Sequence, residues 1–222
     1  MTDKISPKLL VPALDTASNA GTSATTLAQA GYKAVGRYYS RYSWKQLTRA
    51  EASELFAAEM DIFVVYEDNN DAPSYFSADI GNQQALRALY QADAVIQQPR
   101  QTGIYFAVDY DASSYDYTHY IRPYLRAINE VFASFGYPYH VGIYGNGIVC
   151  SCAKNDGLAK LTWLSQSTGF YGYQEYKESG DWNILQGPYV TIAGTQYDQD
   201  TLNLNRGSYG GFGSFATPSC SN

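Results

Sequence analysis

The chain has 222 residues and a formal net charge of −6 at neutral pH, with a sequence pI near 4.8. Because nucleic acids and anionic membrane surfaces are themselves negatively charged, this acidic balance argues against both as partners. No apolar segment approaches the roughly 18 residues of a membrane span, and residues 1–6 lack the basic and apolar regions of a signal peptide.

In the first half of the chain, short apolar runs alternate with segments of helical periodicity. Strands are predicted at 9–14, 32–39, 62–66 and 104–108, and helices at 22–30, 79–97 and 117–135. A further helix is expected to begin after Thr48, where Glu51 three residues later completes a capping-box pattern. Each of these four strands is therefore followed by a helix, as in βα units.

The second half of the chain shows a similar alternation with weaker helices. Strands are predicted at 140–144, 161–165 and 182–186, and an eighth runs from 192 to 197 and leads into 198–200. A short helix ends near Asp156, and the segment 170–180 is only weakly helical. Residues 207–222 are rich in Gly, Ser and aromatic residues and are predicted to form a loosely attached tail.

Eight strand-like runs in this order predict an α/β fold, a single (β/α)8 TIM-like barrel with thinned late helices. We expect the barrel to occupy residues 1–206, with the tail at 207–222, and the protein to be a monomer. The alternative is an open, doubly wound sheet. No Gly-x-Gly-x-x-Gly motif supports a dinucleotide-binding version of that sheet.

Carboxylates occur at the ends of several predicted strands. Asp15 ends the first strand, Glu67 the third, Asp109 and Asp111 the fourth, and Asp198 and Asp200 the eighth. The carboxyl ends of barrel strands meet at one mouth, so these acids are expected to surround a single site. Residues i and i+2 of a strand share a face, which places Asp109 and Asp111 side by side. Crowded carboxylates raise one another's pKa, so one acid can hold a proton while another stays ionised.

Other polar and aromatic side chains are predicted at the same mouth. Arg37, at the end of the second strand, is the expected counter-charge for the acids. The expected ligand-binding residues besides Arg37 are Tyr39, Tyr105, Tyr144, Trp163, Gln166, Gln186, Gln196, Tyr197 and Asp200. Acids, amides and aromatic rings are typical of a carbohydrate site, where a carboxylate pair supports an oxocarbenium-like transition state.

The sequence gives little support for metal or thiol chemistry. With only two histidines, His119 and His140, a His-based metal site or a Ser-His-Asp triad is nearly excluded. No cofactor and no metal are expected, and a Ca²⁺ or Mg²⁺ site among the acids is a minor alternative. In an oxidising compartment, Cys220 could pair with Cys150 or Cys152.

Several segments, taken in order, resemble the glycoside hydrolase-like family first described as domain of unknown function 1906. They are Asp15, 37–39, Glu67, 105–111 (Tyr-Phe-Ala-Val-Asp-Tyr-Asp), 141–145, 163–166 and 196–198. That family is similar in fold to the family-25 muramidases, TIM-like barrels that cut the glycan of bacterial peptidoglycan. The resemblance spans about residues 9–205. It implies an acidic mouth, a cell-wall polysaccharide as ligand, and a protein that is secreted or acts at the cell envelope.

One position departs from the muramidase pattern. Family-25 muramidases carry Asp-x-Glu after the fourth strand, with the Glu as general acid, whereas the matching residue here is Asp111. The resemblance therefore leaves two candidate proton donors, Asp111 and Glu67. Asp109 would be the base or charge stabiliser, while Asp15 and Asp198 would orient the sugar. The alternative function is a non-catalytic cell-wall glycan-binding module on a degenerate barrel.

Overall fold

The computed structural model describes residues 9–217, in which eight strands form one closed barrel. The strands are β1 (Leu10–Asp15), β2 (Ala34–Tyr39), β3 (Asp61–Tyr66), β4 (Gly103–Ala107), β5 (His140–Gly145), β6 (Leu161–Leu164), β7 (Ile184–Ile192) and β8 (Thr195–Asn203). Each strand pairs with its neighbour in the chain, and β8 closes the ring on β1. The predicted α/β barrel is confirmed, and the open-sheet alternative is wrong.

Helices surround the barrel and become thin toward its last strands. They are α1 (Ala24–Gln29), α2 (Arg49–Ala57), α3 (Ala78–Tyr90), α4 (Ser114–Asp116), α5 (Arg122–Ser134), α6 (Gly147–Asn155) and α7 (Tyr173–Ser179). π-helical turns at Gln91–Ile96 and Tyr117–Ile121 extend α3 and precede α5. The connection from β6 to β7 holds only the seven-residue α7, and a tight turn joins β7 to β8. The late helices are thinned, as the sequence predicts.

The direction of β8 differs from a regular (β/α)8 barrel. The strands β1 to β7 pair in parallel, but β8 runs antiparallel to both β7 and β1. Only Ala193 and Gly194 separate β7 from β8, which leaves no room for the crossover that a parallel pair needs. Both residues have positive φ, as a type I′ hairpin turn requires. The early part of β8, rather than its end, therefore lies at the mouth, where Asp198 pairs with Asp15.

The barrel has one hydrophobic layer inside the sheet and another between the sheet and the helices. Alternation along each strand decides which residue enters which layer, so Phe63 of β3 points inward while Ile62 and Val64 face the helices. The inner layer consists of Ala13, Ala34, Phe63, Val65, Tyr105, Ala107, Leu161, Trp163, Ile184 and Leu202. The ring of Trp163 packs edge-to-face on Phe63, with centroids 5.1 Å apart. These aromatic rings fill the barrel below the mouth.

The start of α2 forms only half of the predicted capping box. Thr48 Oγ1 accepts the backbone N–H of Glu51 at 3.2 Å, as the pattern predicts. The Glu51 carboxylate does not return to the Thr48 backbone, however. It accepts hydrogen bonds from the Arg37 side chain and from the backbone N–H of Ala20, the latter at 2.8 Å. A buried guanidinium is the stronger partner, because the carboxylate neutralises it as well as accepting its hydrogen bonds.

The described part of the tail packs against the N-terminal end of the barrel. Phe212 is buried and exchanges two backbone hydrogen bonds of 2.8 Å with Ile62 at the start of β3. The carbonyl oxygen of Gly210 accepts the N–H of Gly103 at 2.8 Å, and that of Tyr209 accepts the Tyr105 hydroxyl at 2.8 Å. Residues 207–217 therefore cover the bottom of the barrel, which corrects the expectation of a loosely attached tail.

Two cysteines lie in α6. Cys150 is buried, Cys152 is partly exposed, and neither forms a disulfide within the described residues. Cys220 lies outside those residues, as do residues 1–6, so the disulfide and signal-peptide expectations stay predictions. Across 9–217, no helix combines the length and apolar character needed to cross a membrane.

Candidate active site

The barrel opens, at the carboxyl ends of β1–β7, into a cleft of about 250 Å³. Its walls are formed by Tyr38, Val65, Glu67, Asp109, Tyr144, Trp163, Gln166, Ser167, Gln186, Tyr189 and Asp198. A larger groove, of about 560 Å³, lies beside residues 97–100 and 214–217, at the opposite end of the barrel. The mouth is the candidate active site, because three carboxylates meet there whereas Asp93 alone lines the groove.

Glu67 shares the cleft with a buried cation. The Nζ atom of Lys45 lies 2.8 Å from Glu67 Oε1 and 3.0 Å from the carbonyl oxygen of Asp68, and Lys45 is only 4% exposed. Burial raises the pKa of Glu67, and the charge of Lys45 opposes that rise. The counter-charge at the mouth is therefore Lys45. Sequence reasoning missed it because Lys45 lies in the 3₁₀ turn after β2 rather than at the end of a strand.

Asp109 faces the cleft from the loop after β4, and Asp198 faces it from β8. Burial, and next the charge of Asp109, raise the pKa of Asp198 to about 6, although Gln166 Nε2 donates to its Oδ1 at 3.2 Å. Burial and the charge of Asp71 raise the pKa of Asp109, and Lys45 opposes this rise. Asp198 thus holds its proton to a higher pH than a free aspartate, whose pKa is about 3.9.

Two more predicted acids, Asp15 and Asp200, lie buried beneath the cleft floor. Gln186 Nε2 donates to Asp15 Oδ2 at 2.8 Å, and Trp163 Nε1 donates to Asp200 Oδ1 at 2.9 Å. Burial, followed by the charge of Asp198, raises the pKa of Asp15 to about 7. Burial and the charge of Asp15 raise the pKa of Asp200 well above its ordinary value. Within 9–217, Asp200 Oδ2 has no hydrogen-bond partner. The raised pKa of Asp200 means that its carboxyl group keeps a proton, which the neighbouring Asp15 can accept as a hydrogen bond.

The buried acid pair fixes polar groups of the cleft wall. Because Asp15 accepts from the Nε2 of Gln186, the Oε1 of that amide is left to accept the Tyr144 hydroxyl at 2.9 Å. The Tyr38 hydroxyl donates to the other oxygen of Asp15 at 3.3 Å. Asp15 therefore orients Gln186, Tyr144 and Tyr38 from below, although it does not line the cleft itself.

Asp111 does not join the acids of the cleft. β4 ends at Ala107, so the alternation that would place Asp111 beside Asp109 does not extend that far. Asp111 Oδ1 accepts the backbone N–H of Tyr171 at 2.7 Å and the Nδ2 of Asn146 at 3.0 Å. Its carboxylate ties the loop after β6 to the loop after β5, which does not support the role of proton donor expected from the sequence.

Arg37 and Tyr39 point away from the cleft, which corrects their expected placement. Both occupy the outward positions of β2, whereas Tyr38 between them faces the mouth. Arg37 is 1% exposed and forms an ion pair with Glu51 of α2. The Tyr39 hydroxyl donates to Gln98 Oε1 at 2.7 Å. These two residues hold the surrounding elements against the barrel, and the ligand-facing residue of β2 is Tyr38.

Three other expected ligand-binding residues also lie outside the cleft. Tyr105 points into the barrel interior, where its ring packs on Trp163 with centroids 5.8 Å apart. Tyr197 is buried on the outer side of β8 because its neighbour Asp198 faces inward. Gln196 is exposed near the tip of the β7–β8 hairpin. The members of the expected set that line the cleft are Glu67, Asp109, Tyr144, Trp163, Gln166, Gln186 and Asp198.

Tyr189 reaches the cleft through a β-bulge. Gln186 pairs with Asp200, but Tyr189 pairs with Asp198, so β7 holds one more residue than β8 between these pairs. The extra residue turns Tyr189, instead of Pro188, toward the mouth. The Gly-Pro sequence after Gln186 signals an interrupted strand, but not which side chain the interruption turns inward. The other wall residues that sequence reasoning missed are Tyr38, Val65 and Ser167.

The cleft brings together carboxyl groups that differ in how readily they hold a proton. Asp198 can hold a proton up to about pH 6, while Lys45 favours the ionised forms of Glu67 and Asp109. In the described part of the chain, no three His, Cys, Asp or Glu side chains are grouped as metal ligands would be. A barrel with carboxylates, amides and aromatic rings at its mouth has the features of the glycoside hydrolase-like class of proteins.

Comparison with known proteins agrees with that class. The chain belongs to the family of Rv2525c-like, glycoside hydrolase-like domains, whose model matches residues 25–206. The protein FadG of Bacillus subtilis (strain 168) is 34% identical over 175 residues, which make up 76% of this chain and 30% of FadG. The chain therefore matches less than a third of that relative's length. The family inferred from the sequence motifs is confirmed.

Solved structures share the barrel. The Mycobacterium tuberculosis Tat-secreted protein Rv2525c, in complex with L-tartrate, superimposes with a TM-score of 0.70 at 23% identity, over 87% of this chain and 94% of that one. A family 25 glycosyl hydrolase from Bacillus anthracis gives a TM-score of 0.51 at 9% identity, over 91% and 93%. The predicted relationship in fold to family 25 is confirmed.

Proposed function

We propose that this protein is a glycoside hydrolase that cleaves the N-acetylated glycan of bacterial peptidoglycan by carboxylate acid–base chemistry. The observation that carries the proposal is the convergence of Glu67, Asp109 and Asp198 on one cleft with aromatic and amide walls. Hydrolysis of a glycosidic bond needs a protonated acid and an ionised carboxylate on either side of it. A cleft of about 250 Å³ is below the ~300–1,000 Å³ of drug-sized sites and suits a single sugar ring.

Asp198 is the proposed proton donor. Its pKa of about 6 leaves it protonated in a mildly acidic medium, and the Gln166 amide holds its carboxyl group in position. The proton would pass to the leaving-group oxygen as the glycosidic bond breaks. Asp109 is the proposed base or charge stabiliser, because the charge of Lys45 favours its ionised form.

Glu67 is proposed as a second negative group that faces the positive charge of the oxocarbenium-like transition state. The Lys45 ammonium, 2.8 Å away, favours its carboxylate form and makes Glu67 a poorer donor than Asp198. The donor role therefore passes from Asp111 or Glu67, the candidates suggested by the resemblance, to Asp198.

The release of reducing ends from purified peptidoglycan tests the proposal. Asp198→Asn and Asp109→Asn are each expected to slow the reaction by about 10²–10⁴-fold, the usual contribution of a general acid or base. Asp111→Asn is the matched control: both hydrogen bonds to Asp111 end on Oδ1, which asparagine retains. This control is expected to stay active. Full activity in Asp198→Asn would refute its role, and a folded but inactive Asp111→Asn would return that role to Asp111.

The assigned donor also predicts how the rate depends on pH. Because Asp198 must be protonated, hydrolysis is expected to decline as the pH rises above about 6. A pH–rate profile measured at constant ionic strength checks this limb. A rate that continues to rise through pH 8 would show that Asp198 does not donate the proton.

A second candidate function is a glycan-binding module that does not cut. The observation in its favour is that the position of the muramidase Glu is Asp111, which lies outside the cleft and is held by Tyr171 and Asn146. This alternative predicts that wild-type protein sediments with purified cell walls and releases no reducing ends. Asp198→Asn would then bind as the wild type does.

The proposed substrate requires the protein to act at the cell envelope. The similarity to Rv2525c, a Tat-secreted protein, supports this location. Fractionation of the native host into cytosol, envelope and medium, followed by immunodetection, tests it. Detection in the cytosol alone would contradict a role in cutting cell-wall glycan.

A further inference from the structure

Trp44 exposes its ring at the edge of the cleft. It lies in the turn Ser43–Lys45, where Lys45 points inward to Glu67 and Trp44 points outward. Lys45 is 4% exposed, whereas Trp44 is 68% exposed. The Lys45 Nζ lies 5.9 Å from the centre of the indole ring, so this ring stands next to the carboxylate wall of the cleft.

The loop that carries Trp44 is fixed by hydrogen bonds on both sides. The backbone N–H of Arg41 donates to Asp68 Oδ1 at 2.8 Å, and the Tyr42 hydroxyl donates to Asn69 Oδ1 at 3.0 Å. After the turn, Gln46 Nε2 donates to the carbonyl oxygen of Ser40. The loop is thus held in place although its largest side chain is packed against little of the protein. An aromatic ring that is already positioned loses little conformational entropy when a ligand covers it.

Tyr189 provides a second exposed ring, on the β7 side of the same cleft. It is 60% exposed, and the β-bulge after Gln186 turns it toward the mouth. Its cross-strand partner is Asp198, the proposed donor. Trp44 and Tyr189 therefore adjoin the carboxylates Glu67 and Asp198, which approach the cleft from β3 and β8.

We propose that Trp44 and Tyr189 form an outer platform on which sugar rings stack, so that the preferred ligand is a chain of several consecutive sugars. The proposal rests on the glycan ligand class proposed above. A cleft of about 250 Å³ accommodates one ring, and neighbouring sugars in the chain must then lie on the rim. Flat aromatic faces with a polar edge suit the apolar faces and hydroxyl groups of those sugars.

Binding of N-acetylglucosamine oligomers of two lengths tests the platform, with N,N′-diacetylchitobiose (the dimer) and hexa-N-acetylchitohexaose (the hexamer) as probes. Wild type is expected to bind the hexamer more tightly than the dimer. Trp44→Ala and Tyr189→Ala should each weaken hexamer binding by about 2- to 10-fold, on the scale of aromatic stacking. Trp44→Ala should leave dimer binding unchanged, whereas Tyr189→Ala should also weaken dimer binding, because the Tyr189 ring lines the cleft itself. Phe135→Ala is the matched control, because Phe135 is 55% exposed at the end of α5, away from the mouth.

Tryptophan fluorescence gives a direct readout of stacking. Trp163 and Trp182 are buried, so Trp44 is the tryptophan whose surroundings a rim-bound sugar would change most. The hexamer is expected to shift the emission of the wild type to shorter wavelength and to shift that of Trp44→Ala much less. Equal shifts in both proteins would overturn the role of Trp44.

The outcomes separate this inference from the proposed hydrolysis. Length-dependent binding that needs Trp44 and Tyr189, without release of reducing ends, would retain the platform and refute the catalytic proposal. Hydrolysis of peptidoglycan combined with equal affinity for dimer and hexamer would support the catalytic proposal and refute the platform. Hexamer binding that is undetectable, or equally strong in wild type and both platform variants, would overturn the platform.

Discussion

The buried pair Asp15 and Asp200 makes the stability of the fold depend on pH, and Asp200→Asn is the variant that tests this. In the wild type both carboxyl groups lie beneath the cleft with a raised pKa, so each keeps its proton to a higher pH than a free aspartate and loses it as the pH rises. Asparagine preserves an oxygen that can accept from Trp163 Nε1, now at 2.9 Å from Asp200 Oδ1. Its amide can also donate to the Asp15 carboxylate, which removes the repulsion between two buried anions.

The size of the change in the free energy of unfolding follows from the pKa of Asp15. A carboxyl group with a higher pKa in the folded protein stabilises the fold at low pH, and that contribution is lost as the pH rises through the folded-state value. With a pKa of about 7 when folded, against about 3.9 when unfolded, Asp15 alone lowers the free energy of unfolding by roughly 3 kcal/mol between pH 5 and pH 8. The raised pKa of Asp200 acts in the same direction. Asp200→Asn removes the contribution of Asp200 but leaves Asp15 buried near Asp198, so we expect the variant to recover about 1–2 kcal/mol of the combined loss.

Urea unfolding, followed by tryptophan fluorescence at several pH values from 5 to 8, measures the effect. Asp200→Asn should be more stable than the wild type at pH 8 and should lose less stability over the range. Asp79→Asn, an exposed change in the first turn of α3, should keep the pH dependence of the wild type. The reasoning is refuted if wild type is equally stable at both ends of the range, or if Asp200→Asn retains the full dependence.

Three further substitutions test other parts of the structure. Glu51→Ala leaves the Arg37 guanidinium buried without its carboxylate and should lower the free energy of unfolding by about 3–5 kcal/mol; a loss below about 1 kcal/mol in urea unfolding would contradict the ion pair. Lys45→Met removes the cation that lowers the pKa of Glu67, so the acid limb of the pH–rate profile should move to higher pH, and an unmoved limb would count against this contact. Phe212→Ala removes a buried ring at the bottom of the barrel and should cost about 3–5 kcal/mol, whereas an unchanged Tm would mean that the tail does not stabilise the fold.

The barrel itself could be predicted because its signals are local. Each of the first strands is a short apolar run followed by a segment with helical periodicity. This order indicates parallel strands covered by helices, and the count of eight strand-like runs favours a closed barrel over an open sheet. The direction of β8 was not accessible in the same way. It depends on the two-residue turn Ala193–Gly194, and the prediction placed these residues inside a strand that began at residue 192. A shift of three residues in one boundary hid the hairpin.

The ring of acids at the candidate site was predictable from the sequence, but the residues that lie beside those acids were not. Closeness to the end of β2 predicts Arg37 and Tyr39 at the mouth, whereas strand alternation places them outside and Tyr38 inside. Lys45 lies in a three-residue turn, which is too short for hydrophobic periodicity to indicate the direction of its side chain. The inward direction of the Tyr189 side chain depends on a bulge that shifts the in–out alternation of β7 by one residue. The direction of each of these side chains is set by where a strand, turn or bulge begins, and an error of one residue in that boundary turns the side chain to the other face.

The face of the sheet to which a side chain points and its distance from the mouth are set separately. Asp198 and Asp200 show that both matter for chemistry. Reversing a strand leaves i and i+2 on the same face, so both acids face the barrel interior whichever way β8 runs. The reversal does exchange their depths: a parallel β8 would bring Asp200 nearest the mouth, whereas the antiparallel strand brings Asp198 there and leaves Asp200 opposite Ala13. Asp198, reachable by a ligand, has a pKa of about 6, and buried Asp200 is held well above its ordinary value. The direction of one strand therefore decides which acid can give its proton to a substrate and which can only share it with Asp15.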